Sequence, residues 1–142
     1  MKRKLKKGLG EDTHFIRRGK YSTEESKVYL IVAIIVFHIL PLMFVFMGEA
    51  GAIIMQTTLL YTVNVLFLFG IGTFYGIRIG YNFKFPLILT VISFMSYIIY
   101  YSSGYIFESI YYYVMTGVIT FIVYALFSFF STAFGGWAKR FF

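Results

Sequence analysis

The sequence has no cysteine and few charged residues, and each shortage excludes a class of protein. Without a thiol the chain has no disulfide, no thiolate metal site and no cysteine nucleophile. Charged residues make up 13% of the chain, whereas a soluble domain carries about 25% to cover its surface. Hydrophobic residues reach 59% of the 142 residues, which are enough for one domain. Most of the surface is therefore expected to face lipid.

The sequence also lacks the signatures of common enzyme and cofactor sites. It contains no Walker sequence, no HExxH zinc motif, no dinucleotide fingerprint and no pair of acids inside an apolar segment. We therefore expect no enzyme activity, no catalytic residue, no cofactor and no bound metal. The net charge of +7 does not indicate a nucleic-acid partner, because the bases adjoin apolar segments, where anionic lipid headgroups attract them.

Four apolar segments are long enough, or nearly so, to cross a bilayer as helices. A hydrocarbon core of roughly 30 Å needs about 20 helical residues, and lipid admits only helices or closed barrels. No segment alternates as a barrel strand does, so the sequence predicts an all-α integral membrane protein. The predicted spans lie at about 28–47, 55–79, 85–101 and 110–130, and the third is the shortest.

The distribution of bases predicts the orientation. Lysine and arginine occur in the N-terminal arm, between the second and third spans, and at the C-terminal end, whereas the other two connections carry only Glu49 and Glu108. By the positive-inside rule, both termini are cytoplasmic. Short connections then predict an antiparallel four-helix transmembrane bundle over residues 22–134. A flexible basic cytoplasmic arm precedes it at 1–21, and a short cytoplasmic tail follows at 135–142.

The basic residues near the membrane surface are expected to contact lipid headgroups, including anionic ones. A docking role of the arm for a partner protein is the alternative. The arm ends at Ser22, whose spacing from Glu25 predicts a capping box at the start of the first helix. The expected headgroup contacts are Lys2, Arg3, Lys4, Lys6, Lys7, Arg78, Lys84, Lys139 and Arg140.

Three glycines of the second span, Gly72, Gly76 and Gly80, recur every fourth residue and so share one helix face. Glycine lets a second helix backbone approach closely, which is how helices associate in lipid without a hydrophobic driving force. The spacing predicts a helix-packing face, used either within the bundle or against another protein.

The glycine-rich helix leads into an aromatic turn around Asn82 and then a helix start at Pro86-Leu87. This stretch, from Gly72 through Leu87, resembles small uncharacterised four-span membrane proteins of Gram-positive bacteria. The resemblance covers the second and third spans. It implies a multi-pass protein of a bacterial cell membrane and carries no activity with it.

Polar side chains at similar depths in the spans form a candidate polar seam, made of His38, Asn64, Ser93 and Thr120. His38 lies three residues before Pro41, which removes a backbone amide and kinks the helix. An ionisable residue at mid-membrane depth suggests a functional site. The alternative is that each residue makes one interhelical hydrogen bond, contributing about 0.6 kcal/mol.

Tyrosines cluster near the predicted outer ends of the third and fourth spans. Amphipathic rings with a hydroxyl suit the headgroup zone, so an aromatic belt is expected, with a tyrosine-lined pocket for a lipid or glycan as the alternative. The cluster comprises Tyr97, Tyr100, Tyr101, Tyr105, Tyr111, Tyr112 and Tyr113.

The lead hypothesis is a non-enzymatic membrane protein that acts through helix association, as the accessory subunit of a membrane complex or as a homo-oligomer. Its contact surface would be the glycine face, and its partners would be lipids with either a membrane protein or a second copy. One alternative is a small oligomeric transporter or channel along His38, Asn64 and Ser93. A second alternative is a holin-like permeabilising protein, which fits the size and the basic ends.

Overall fold

The computed structural model describes residues 22–101 and 110–141, and the regular structure within these ranges is helical, as predicted. The α-helices are α1 (Thr23–Ile34), α2 (Leu40–Val45), α3 (Gly48–Ile54), α4 (Asn64–Arg78), α5 (Lys84–Ser96) and α6 (Ile110–Ala138). The π-helical segments are Ile35–Ile39, Met55–Val63 and Tyr97–Tyr101. The predicted N-terminal arm at 1–21 lies outside the described residues.

Three helical stretches are long and apolar enough to cross a membrane, namely Thr23–Phe44, Thr58–Arg78 and Ile110–Ala138. The remaining predicted span is a shorter apolar helix, Lys84–Tyr100. α6 continues without a break to Ala138, four residues beyond the predicted end of the bundle at residue 134. Gly135 and Gly136 are buried against another helix, which explains why the helix persists through two poor helix formers.

The first helix begins at Thr23, next to Ser22 as expected, but the capping box is not formed. The Ser22 side chain makes no capping hydrogen bond. Instead, Ser26 Oγ donates to the Ser22 carbonyl oxygen at 2.6 Å. The acids of the first turn, Glu24 and Glu25, still stabilise the helix start through its dipole.

The contact between α4 and α6 is the most extensive between any two helices in the described residues. A Cβ atom at Gly76 would overlap the Thr132 carbonyl oxygen and would lie 2.7 Å from the Gly136 amide nitrogen. A Cβ at Gly72 would overlap the Ser131 hydroxyl. Two of the three glycines therefore hold the two backbones in direct contact, and their face is covered by a helix of the same chain.

The third glycine has a different role. Gly80 lies two residues beyond the end of α4 and has a φ of 103°, a conformation that favours glycine. Its amide donates to the Gly76 carbonyl oxygen at 2.9 Å, which closes the last turn of the helix. The predicted packing face thus ends at Gly76, and Gly80 turns the chain towards α5.

α4 and α6 run parallel. Contacts between them advance in the same direction along both helices, as the pairs Asn64–Tyr124, Leu68–Ser131 and Arg78–Lys139 indicate. The start of α6 lies beside the end of the third span, Lys84–Tyr100, because Tyr97 Oη donates to the Tyr113 carbonyl oxygen at 2.9 Å.

Aromatic rings join α1 and α5 to this pair. Tyr75 and Phe85 are fully buried and stack with their centroids 3.5 Å apart, and Tyr29 of α1 meets the Tyr75 ring edge-on at 5.4 Å. Asn82 Nδ2 donates to Tyr75 Oη at 2.7 Å, while Asn82 Oδ1 accepts from the Phe85 amide at 2.9 Å. The aromatic turn around Asn82 therefore fixes the start of α5 against the end of α4.

Replacing Gly76 with alanine should destabilise the fold by about 1–3 kcal/mol, because its methyl group would meet backbone atoms of α6 that have no free rotation. Gly70→Ala is the matched control, since nothing lies within 4 Å of its Cβ position. There alanine should be neutral or stabilising by up to about 1 kcal/mol. Unfolding in a mild detergent followed by circular dichroism measures both, and equal stability of the two variants would contradict this packing.

Candidate functional site

Asn64 and Thr120 of the predicted polar seam lie at the interface of α4 and α6, where both are fully buried. Asn64 Nδ2 donates to Tyr124 Oη at 3.1 Å, and Tyr124 Oη donates to the Leu60 carbonyl oxygen at 2.9 Å. Leu60 belongs to the π-helical segment Met55–Val63, directly before α4. The hydrogen bonds of Tyr124 thus connect the irregular part of the second span to α6.

Three buried side-chain oxygens of the described residues have no hydrogen-bond partner: Asn64 Oδ1 and Thr73 Oγ1 of α4, and Thr120 Oγ1 of α6. Thr120 precedes Tyr124 by one helical turn and so shares its face of α6. A buried polar atom without a partner costs about 1–3 kcal/mol, so each instance needs an explanation. An amide oxygen, a hydroxyl and a backbone carbonyl are the neutral donors that bind water or a hard monovalent cation in membrane proteins.

His38 lies at a different interface, between the first and third spans. The His38 ring donates through Nε2 to the Ile92 carbonyl oxygen at 3.2 Å. Tyr100 Oη donates to the His38 carbonyl oxygen at 2.7 Å, and the two rings lie 6.1 Å apart. Ser93 is buried, but its hydroxyl bonds the Leu89 and Thr90 carbonyls of its own helix. None of the four seam residues bonds another of them, so they do not form one hydrogen-bonded path.

Small hydroxyl residues that the sequence analysis did not single out hold the helices together. Thr90 Oγ1 and Ser128 Oγ lie 2.9 Å apart, and both bond the Pro86 carbonyl oxygen, which joins α5 to α6. Ser131 Oγ donates to the Leu68 carbonyl oxygen at 3.2 Å, which joins α6 to α4. Small or hydroxyl-bearing residues recur every three or four positions along the fourth span, and this spacing could have predicted the packed face. The residues are Gly117, Thr120, Tyr124, Ser128, Ser131 and Gly135, all of which are buried.

The tyrosines predicted to form a belt divide into two groups. Tyr111 and Tyr112 are exposed, as a belt requires. Tyr97 is fully buried, and Tyr100 reaches across to the first span. Tyr97 and Tyr113 line an apolar groove of about 380 Å³ between the third span and α6. Tyr105 and Glu108 lie outside the described residues.

Two of the basic residues predicted to contact headgroups meet where α4 and α6 end side by side. Lys139 Nζ donates to the Arg78 carbonyl oxygen, which ties the ends of α4 and α6 together. Both residues line a cleft of about 880 Å³, which also includes Glu24 and Glu25 of α1. Lys84 and Arg140 are exposed outside this lining. Lys2, Arg3, Lys4, Lys6 and Lys7 lie outside the described residues.

The described residues contain no group of three or more His, Asp or Glu placed to hold a metal ion. The only histidine among them, His38, has a backbone carbonyl as its ring partner.

No protein-family model, curated protein or solved structure matches this chain, so its resemblance to small four-span membrane proteins of Gram-positive bacteria stays a prediction.

Proposed function

We propose that this chain is a non-enzymatic multi-pass protein of a bacterial cell membrane that acts through helix association, as the accessory subunit of a membrane complex or as a homo-oligomer. The observation that carries this proposal is that the rest of the chain covers little of the first long helix. In the most apolar window of Thr23–Phe44, 22% of the residues are buried, against 39% for Thr58–Arg78. Ile110–Ala138, at 28%, lies between them, so the first span is the least covered of the three long helices.

The association surface is not the glycine face, because α6 already covers Gly72 and Gly76. We assign it instead to a first-span stripe of large apolar side chains, each more than two-fifths exposed. Their spacing of three or four residues keeps them on one helix face. The first-span stripe comprises Val28, Ile31, Ile35, Ile39, Leu42 and Phe46.

The short length of the third span also supports association. Lys84–Tyr100 would span about 25 Å at 1.5 Å per residue, less than a hydrocarbon core of roughly 30 Å. A short span is accommodated by thinning the bilayer or by oligomerising, because neighbouring helices then shield the mismatch.

The proposal includes four crossings with both termini cytoplasmic. The parallel course of α4 and α6 supports it, since the chain must return through the membrane between them. Lys84–Tyr100 is the helix available for that return. Three crossings would instead leave α4 and α6 antiparallel.

Single cysteines test this topology cleanly, because the chain has none of its own. A membrane-impermeant maleimide added to intact spheroplasts should label Glu49→Cys. It should reach Lys84→Cys and Arg140→Cys only after the membrane is permeabilised. Labelling of Arg140→Cys from outside, with Lys84→Cys protected, would show that the third span does not cross the membrane.

Native mass spectrometry of the full chain, extracted from its own membrane in a mild detergent, should give one complex of fixed stoichiometry. The pair Ile31→Ala and Ile35→Ala should reduce the assembled fraction, because it removes packing atoms from the first-span stripe. The matched control is Val118→Ala with Ile122→Ala, equally exposed on α6. A bare monomer in every detergent, or the same loss in both variants, counts against association through this stripe.

A second candidate function is a small transporter or channel, and the unpartnered oxygens of Asn64 and Thr120 are the observation that favours it. Under this candidate, proteoliposomes of the full chain should carry Na⁺ or H⁺ above the level of empty vesicles. Thr120→Val should abolish the flux, because it removes the oxygen and keeps the shape. Thr116→Val, one turn earlier on α6, is the control. Under the association proposal there is no flux, and Thr120→Val is neutral or slightly stabilising.

A further inference from the structure

The cleft at the end of the bundle is built from three helices. The first turns of α1 supply Glu24, Glu25 and Tyr29, the end of α4 supplies Phe74 and Arg78, and the end of α6 supplies Lys139. Its volume of about 880 Å³ lies within the range of small-molecule sites, about 300–1,000 Å³. Four of its eight lining residues are charged, in a chain whose long helices are mostly apolar.

The charges in this cleft are balanced and separated. Both acids come from α1, and both bases come from the ends of α4 and α6. A plain anion would be repelled by Glu24 and Glu25, and a plain cation by Arg78 and Lys139. An occupant that carries one charge of each sign, held at a short distance, satisfies both walls.

The basic wall has the chemistry to bind a phosphate. The bond from Lys139 to the Arg78 carbonyl keeps the two cationic residues adjacent. A guanidinium donates two parallel hydrogen bonds to a phosphate, and a lysine ammonium adds a point charge.

The acidic wall has the chemistry to bind a primary amine. An ammonium group donates three hydrogen bonds, which carboxylates accept, whereas a quaternary amine donates none. Glu24 also pairs with Lys27 at 2.7 Å, so Glu25 is the carboxylate to test.

We propose that this cleft binds the headgroup of a zwitterionic aminophospholipid, with the phosphate at Arg78 and Lys139 and the ammonium at Glu25. The remaining wall, formed by Val28, Phe74 and Ile79, is apolar and suits the start of the acyl chains. The inference rests on the proposed membrane location, which puts this end of the bundle at the bilayer surface, and is independent of association.

The test uses the full chain in nanodiscs of equal parts phosphatidylethanolamine, phosphatidylcholine and phosphatidylglycerol, with native mass spectrometry of the lipid retained per protein. The ethanolamine lipid should be retained about tenfold over the other two, as expected for one charge-assisted hydrogen-bonded contact. Glu25→Gln should lower its retention to the level of the choline lipid. Arg78→Gln should lower retention of both zwitterionic lipids.

Matched controls are Glu49→Gln and Arg140→Gln, which change the same charges outside the cleft lining. Lys139→Gln replaces Arg78→Gln if circular dichroism shows that the latter does not fold. Equal retention of all three lipids, or equal effects in cleft and control variants, would overturn the proposal and leave the charges as stabilisers of helix ends.

Preference for phosphatidylglycerol would also overturn it, because the cleft would then be an anion site. Displacement of lipid by millimolar glycerophosphoethanolamine, which has no acyl chains, would assign the cleft to a soluble phosphate ester instead. Lipid retention is measured separately from stoichiometry, so selectivity in a monomer refutes association alone, and a complex without selectivity refutes the lipid site alone.

Discussion

The direct contact between the backbones of α4 and α6 is the constraint on which the other contacts depend. In lipid no hydrophobic force drives helices together, so packing and interhelical hydrogen bonds must hold them. Gly72 and Gly76 bring the helices close enough for Ser131 Oγ to reach the Leu68 carbonyl oxygen. A side chain at Gly76 would push the two backbones apart and weaken the hydrogen bonds between α4 and α6. α5 and α1 then add to this pair through hydroxyl and aromatic contacts.

The polar residues of the described helices serve mainly to bond one helix to another, so surface residues are the better candidates for function. Ser93 bonds within its helix, and His38 bonds a neighbouring backbone carbonyl, so neither side chain is directed into a shared cavity. Asn64, Thr73 and Thr120 are the exceptions, because each keeps a buried oxygen without a partner. One such site is enough for a structural water, and transport would require a path that connects it to both surfaces.

Much of the fold follows from the sequence, because hydropathy and glycine spacing act over single helices. The apolar segments, the start at Thr23 and the close approach at Gly72 and Gly76 are all of this kind. The failures involve more than one helix. Whether His38 meets Asn64 depends on how the spans rotate about their axes, which periodicity within one span does not fix. α6 also continues past the predicted end of the bundle at residue 134, where Gly135 packs against the backbone of α4, and the pattern of one helix does not reveal such a contact.

The orientation of the chain and its recognition of lipid depend on the basic residues in different ways. Orientation follows the number of lysines and arginines near the membrane, and acids contribute little to it. Lipid recognition instead depends on the charges that line one cavity. In the proposed topology, Arg78 and Lys139 therefore favour a cytoplasmic location of the chain end, while Glu24 and Glu25 balance their charge inside the cleft. A chain can thus be oriented by its excess of bases and still prefer a lipid without net charge at the point where the helices meet.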